Sequence, residues 1–192
     1  SFSVFGEYEY NKIKIPVAGV LGDQQSASFG QNSDRAGECK ITYGTGLFML
    51  MNTGNTPYFS KDGLLATVGA PDENGNITYF LEGSVFNAGS AVQWLRDNLN
   101  LFENSSDTFK MATAVSDNGG VYIIPAFTGL GAPYWKGDAT GLITGITRGT
   151  NKNHIVRAVL ESMAYSAREL LSIMESDSGI KLNKISVDGG AS

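Results

Sequence analysis

A chain of 192 residues can bury one sizeable core, and a hydrophobic share of 42% beside a charged share of 17% argues against a disordered polypeptide. The net charge of -5, from 14 basic and 19 acidic residues without a basic block, argues against a nucleic-acid partner. The single cysteine, Cys39, can close no internal disulfide, and the single histidine, His154, can build no histidine-rich metal site. No apolar run approaches the roughly 20 residues that a bilayer requires, and no basic-plus-apolar leader is expected. An intracellular, cytoplasmic setting is expected. Both ends, Ser1 and the strand-like run closing at Ser192, read as cuts.

In chain order, residues 13–21 (IKIPVAGVL) form a partly β-branched apolar run that stops at Gly22-Asp23, and QQSASFG behind it predicts a short helix. Residues 39–43 and 47–52 are apolar runs flanking Gly44-Thr45-Gly46, the spacing of a hairpin. Runs 64–68 and 77–81 predict two more strands, and a helix over 90–99 sets Val92, Leu95 and Leu99 on one face. The polar segment 104–118 is expected to be irregular. Residues 121–127 (VYIIPAF) predict a buried strand, TGLGAPYWKGDATG a long loop suited to function, and 142–146 a short strand.

The longest helix is predicted over 153–174, where Ile155, Val159, Met163, Ala167, Leu170, Leu171 and Met174 recur at three- and four-residue spacing. Asn151 or Asn153 suits its N-cap and Gly179 its stop, and 184–187 begin a strand that runs into Asp188-Gly189-Gly190. The pattern predicts an α/β fold, a mixed sheet with helices packed on it, in one domain.

Three glycine-flanked turns carry polar groups at strand ends, where open α/β sheets bind ligands. At Gly22-Asp23-Gln24-Gln25 the carboxylate could take a proton from a hydroxyl, or simply cap the helix behind it. At Tyr43-Gly44-Thr45-Gly46 exposed backbone N–H groups and one hydroxyl could cradle phosphate, or the turn could be a plain hairpin; it has no P-loop lysine. Val187-Asp188-Gly189-Gly190-Ala191 could admit a flat adenine or ribose, or only turn the chain. His154 reads as a capping or solvated residue, Cys39 and Trp94 as packing, and Trp135 as either loop burial or substrate contact.

Taken in order, these segments resemble the FGGY family of carbohydrate kinases, within the actin-like ATPase superfamily, and among them its glycerol kinases. The resemblance is carried by IPVAGVLGDQQSASFGQ at 15–31, TYGTGLFMLMNTG at 42–54, EGSVFNAGSAVQWLRDNL at 82–99, IPAFTGLGAPYW at 124–135, GLITGITRGTNKNHIVRAVLE at 141–161 and VDGGAS at 187–192. It implies a ribonuclease H-like, actin-like ATPase domain, incomplete at its C-terminal end. Residues 1–192 would then be one truncated C-terminal kinase domain without its N-terminal partner domain, inactive alone and prone to self-association.

By resemblance, the parent enzyme moves the γ-phosphate of ATP, with Mg2+, to glycerol, giving sn-glycerol 3-phosphate. Asp23 matches the catalytic base and Gln24 and Phe48 line the glycerol site beside it, while Gly44, Thr45, Gly89, Gln93 and Gly190 match nucleotide contacts. The segment SFSVFGEYEYNKIKIP lacks the loop and the histidine through which some relatives are regulated. The alternatives are a sugar or polyol kinase of the same family, or a nucleotide-binding module without catalysis.

Overall fold

The computed structural model describes residues 2–71 and 74–192. Strands β1 (Phe2–Tyr10) and β2 (Ile13–Gly19) are followed by helix α1 (Asp23–Gly30), then β3 (Glu38–Tyr43), β4 (Leu47–Gly54), β5 (Leu65–Val68) and β6 (Tyr79–Val85). Helices α2 (Gly89–Asp97) and α3 (Asp107–Thr113), strands β7 (Tyr122–Ile124) and β8 (Leu142–Thr144), helix α4 (Lys152–Ser178) and strand β9 (Lys184–Asp188) complete the order.

The predicted hairpin is β3–β4, with Thr42 opposite Phe48 and Lys40 opposite Leu50. Around it grows a five-stranded sheet in the order β5-β6-β4-β3-β9, antiparallel except where β9 joins β3 in parallel. Residues alternate between its faces. Cys39, Ile41, Leu47, Met49, Met51 and Leu81 turn one way and are buried against Ala91 and Leu95 of α2 and Val159, Leu170 and Met174 of α4. Gly83 lets α4 come close, because a Cβ there would stand 2.9 Å from Leu170 Cδ1. The mixed sheet with packed helices expected from the sequence is present.

Helix α4 is bounded as its sequence predicts. The Asn151 side chain accepts from the N–H groups of Asn153 and His154, and His154 Nδ1 accepts from Asn151 N at 3.2 Å, a reciprocal capping box. Gly179 ends the helix at φ 69°, a left-handed conformation that suits glycine.

Four local expectations need correction. Segment 104–118 is not irregular, since it contains α3; Arg157 on α4 donates to the carbonyls of Ala112 at 3.4 Å and Val115 at 3.0 Å, supplying partners for the helix end from far along the chain. The strand expected over 121–127 shortens to β7, and its Tyr122 and Ile124 are exposed because β7 pairs only in a two-stranded ribbon with β8 and buries one face. Leu99 lies past the end of α2 and is exposed, not on the buried face with Val92 and Leu95. The N-terminal residues, given no element by their pattern, form β1, which pairs with β2 in a ribbon whose side chains on both faces meet solvent.

Candidate active site

Asp23 opens α1 without capping it. The N-cap is Gly22, which makes no side-chain cap bond, and Asp23 Oδ1 accepts from Gln24 N at 2.9 Å in the first turn. A carboxylate there is favoured by the positive end of the helix. Asp23 is exposed, and Gln24 Nε2 lies 3.4 Å from its Oδ2.

Beneath α1 lies the second face of the sheet. Register sets Asp188, Thr42, Phe48 and Ser84 in one row across four strands, and Ser186, Lys40, Leu50 and Glu82 in the next. The Lys40 side chain is fully buried; its Nζ donates to Gln24 Oε1 and, at 3.0 Å, to Thr42 Oγ1. Gln31 Nε2, at the end of α1, donates to Asp188 Oδ2 at 3.0 Å. The expected polyol residues Asp23 and Gln24 thus adjoin, and the half-buried Phe48 shares the sheet face they cover.

Burial drives the electrostatics of this face. It pushes the Lys40 ammonium below its ordinary pKa, an effect the charges of Asp188, Glu82 and Asp23 oppose. It also raises the Glu82 carboxyl, against the pull of Lys40. Burial would raise Asp188 too, but hydrogen bonds from Thr42 and Gln31 and the charge of Lys40 outweigh it and hold the carboxyl below its usual range.

Two of the three glycine turns, Gly44-Thr45-Gly46 and Gly189-Gly190, meet the start of α2 at one end of the sheet. Gly44 O accepts from Gly89 N at 3.0 Å, Thr45 O accepts from Ala88 N at 2.9 Å and Ser90 N at 3.0 Å, and Tyr43 O accepts from Ala191 N at 3.1 Å. Close approach explains the glycines: a Cβ at Gly89 would stand 2.5 Å from Gly44 O, and one at Gly189, where φ is 101°, 2.2 Å from Tyr43 O. Gly44, Thr45, Gly89 and Gly190 are thereby gathered, with Gln93 exposed one turn along α2.

One expectation changes here. The turn was expected to offer free backbone N–H groups, yet Gly44 N donates to Gly46 O at 2.9 Å and Gly89 N is held by Gly44 O. These two glycines close the turn, and the exposed Thr45 and Gly190 are what it presents.

Sequence reasoning missed Lys40 and Glu82, because a charged residue inside a strand run reads as solvent-facing. Lys40 falls on the alternate positions from Cys39 and Ile41, which was the available signal. Trp94 packs, 4.8 Å from Phe127 between ring centres, whereas Trp135 stays exposed while donating from Nε1 to Gly63 O at 2.5 Å and meeting Phe86 edge-on. Among the described residues no group of three or more His, Cys, Asp or Glu could hold a metal ion, and no helix is long and apolar enough to cross a membrane.

Residues 39–192 match the C-terminal domain of the FGGY family of carbohydrate kinases. The chain is 57% identical over 191 residues to a glycerol kinase of Carboxydothermus hydrogenoformans, covering 98% of this chain and 38% of that protein. To a glycerol kinase of Petrotoga mobilis it is 58% identical over 178 residues, covering 93% of this chain and 36% of that protein. Its structure superposes on that of Plasmodium falciparum glycerol kinase with ADP at a TM-score of 0.87 and 40% identity, over 98% of this chain and 38% of the other. A ligand-bound xylulose kinase of Lactobacillus acidophilus, at 23% identity, shares the fold at a TM-score of 0.77 over 94% of this chain and 36% of the other. The chain thus spans well under half the length of these relatives, and on the domain match and the identities it belongs to the FGGY family of carbohydrate kinases.

Proposed function

We propose that residues 1–192 are a single C-terminal kinase domain, the nucleotide-holding and base-bearing part of a cytoplasmic enzyme that phosphorylates glycerol from MgATP. The observation that carries this is the exposed Asp23 carboxylate, fixed beside Gln24 at the start of a helix that packs on the same sheet whose end gathers the Gly44, Gly89 and Gly190 turns. The 57% identity to a glycerol kinase supports glycerol as the acceptor.

In this reading Asp23 accepts the proton of the glycerol hydroxyl as that oxygen bonds to the γ-phosphorus. The bond from phosphorus to the bridging oxygen breaks, and ADP leaves. Gln24 holds a substrate oxygen and Phe48 packs on the carbon chain. Thr45 meets the phosphates, with Gly44 and Gly89 closing the turn behind it, while Gln93 and the open backbone at Gly190 face the nucleoside. Mg2+ arrives on the nucleotide as part of the substrate, in keeping with its usual binding through phosphates and water.

Because relatives are much longer, the remaining substrate contacts are assigned to the rest of the enzyme, and this chain alone is expected to be inactive. Exposed Ile185 and Val187 on the end strand β9 support self-association of this chain.

The test is turnover in the full-length enzyme. Glycerol-dependent ADP release is expected to fall by about 10²- to 10⁴-fold in Asp23→Asn, the range of general-base catalysis. Unchanged turnover would remove Asp23 as the base, and turnover with a ketose but not glycerol would move the substrate to another polyol or sugar.

A further inference from the structure

Lys40 sits where an apolar residue would serve the fold. Its cross-strand neighbour on the same face is Leu50, fully buried as Lys40 is. Burying an ammonium is costly unless it is paired and hydrogen-bonded. Here Nζ has two acceptors, Gln24 Oε1 and Thr42 Oγ1, and three carboxylates nearby, Asp188, Glu82 and Asp23.

We propose that Lys40 is a positioning residue for the reaction: it fixes the orientation of the Gln24 amide and through it the Asp23 carboxylate. The inference rests on the reading of Asp23 as base and Gln24 as substrate ligand. An ammonium has three donors and no acceptor, whereas an amide presents an acceptor at one end and donors at the other. Lys40 can therefore hold only the oxygen end of Gln24. That turns Nε2 toward Asp23, where it lies 3.4 Å from Oδ2, and leaves its second hydrogen for an oxygen of the bound polyol.

Without the cation the amide could turn over and present an acceptor to the carboxylate, two acceptors facing one another. The lysine also joins the two parts of the site. Thr42, its second acceptor, hydrogen-bonds Asp188 at the entry to the diglycine turn, so the cation links the start of α1 to the strand that carries Gly190.

Two measurements test this. By NMR on the unaltered chain, a through-hydrogen-bond coupling is expected between the Lys40 ammonium nitrogen and the Gln24 side-chain carbonyl carbon, with one set of slowly exchanging Gln24 amide signals. No coupling, together with a freely exchanging amide, would overturn the proposal whatever the chain's activity. In the full-length enzyme, Lys40→Met is expected to lower kcat/KM for the polyol by roughly 100-fold, the scale of a misplaced catalytic group.

In a Gln24→Ala background the same substitution is expected to change it by less than about threefold, since coupled residues do not add. Equal losses in both backgrounds would show that Lys40 acts on folding or binding in general, and not through Gln24. Absence of polyol kinase activity in the unaltered enzyme would instead overturn the functional reading, leaving the NMR result to decide the orientation.

Discussion

On β3 and β4 the same two strands build opposite kinds of surface. Cys39, Ile41, Leu47, Met49 and Met51 face α2 and α4 and are buried to 3% exposure or less, with side chains that carry no charge. Lys40, Thr42 and Phe48 face α1, and the neighbouring strands add Glu82 and Asp188 to that side, so burial there, complete at Lys40 and partial at the others, comes with hydrogen bonds and shifted pKa values. One face supplies stability and the other chemistry. A sheet can separate the two because its residue period is two, so a substitution at one position leaves the neighbouring face in place.

The apolar face should show the largest effect on stability. Leu170 is fully buried on α4 against Gly83, where the backbone leaves little room to collapse. Leu170→Ala is expected to destabilise by about 2–5 kcal/mol, measured by denaturant titration. A loss under about 1 kcal/mol would mean that α4 can settle into the gap and that this face is less tightly built than its burial suggests.

Next in size is the ionisation of Cys39, on the same face. Burial pushes its thiol up to about 12, against the opposing charge of Lys40. The unfolded thiol ionises near its ordinary value of about 8.5 while the native one keeps its proton. The native state therefore holds the extra proton between these values, and stability is full below the lower one and falls as pH rises through the window, by about 1.4 kcal/mol per pH unit. Compared with Cys39→Ala, the unaltered chain should lose stability more steeply between pH 9 and 11; parallel curves would show that the thiol reaches solvent.

The apolar face was also the legible one. Apolar runs flanking Gly44-Thr45-Gly46 marked β3 and β4, three- and four-residue spacing marked α4, and Asn151 and Gly179 marked its ends, because each of these signals is local. Strand β1 was missed because its apolar residues are broken up by Gly6, Glu7 and Glu9, whereas β2, equally exposed in the same ribbon, carries a partly β-branched apolar run. Helix α3 was missed because Arg157 completes its end from another helix. Of the candidate site, Asp23 and the glycine turns could be found by motif, but the contact of Lys40 with Gln24 and the approach of Asp188 to Thr42 depend on register between strands and on where α1 lies. No spacing along the chain records either.

Thr42→Val should have the smallest effect, and it tests the division between the faces most directly. The hydroxyl accepts from Lys40 Nζ at 3.0 Å and hydrogen-bonds Asp188. Valine keeps the shape and removes both bonds, yet Lys40 retains Gln24 Oε1 and Asp188 retains Gln31 Nε2 at 3.0 Å, so neither charge is stranded. The expected loss is about 1 kcal/mol near neutral pH, the net worth of a typical hydrogen bond. Asp188 sets its pH dependence: a carboxyl held below its usual range stabilises the fold above about pH 4, and that contribution disappears as pH falls through the native pKa. The two proteins should therefore converge in acid. A loss as large as that of Leu170→Ala, or one that does not shrink in acid, would show that the polar face is itself part of what holds the sheet together.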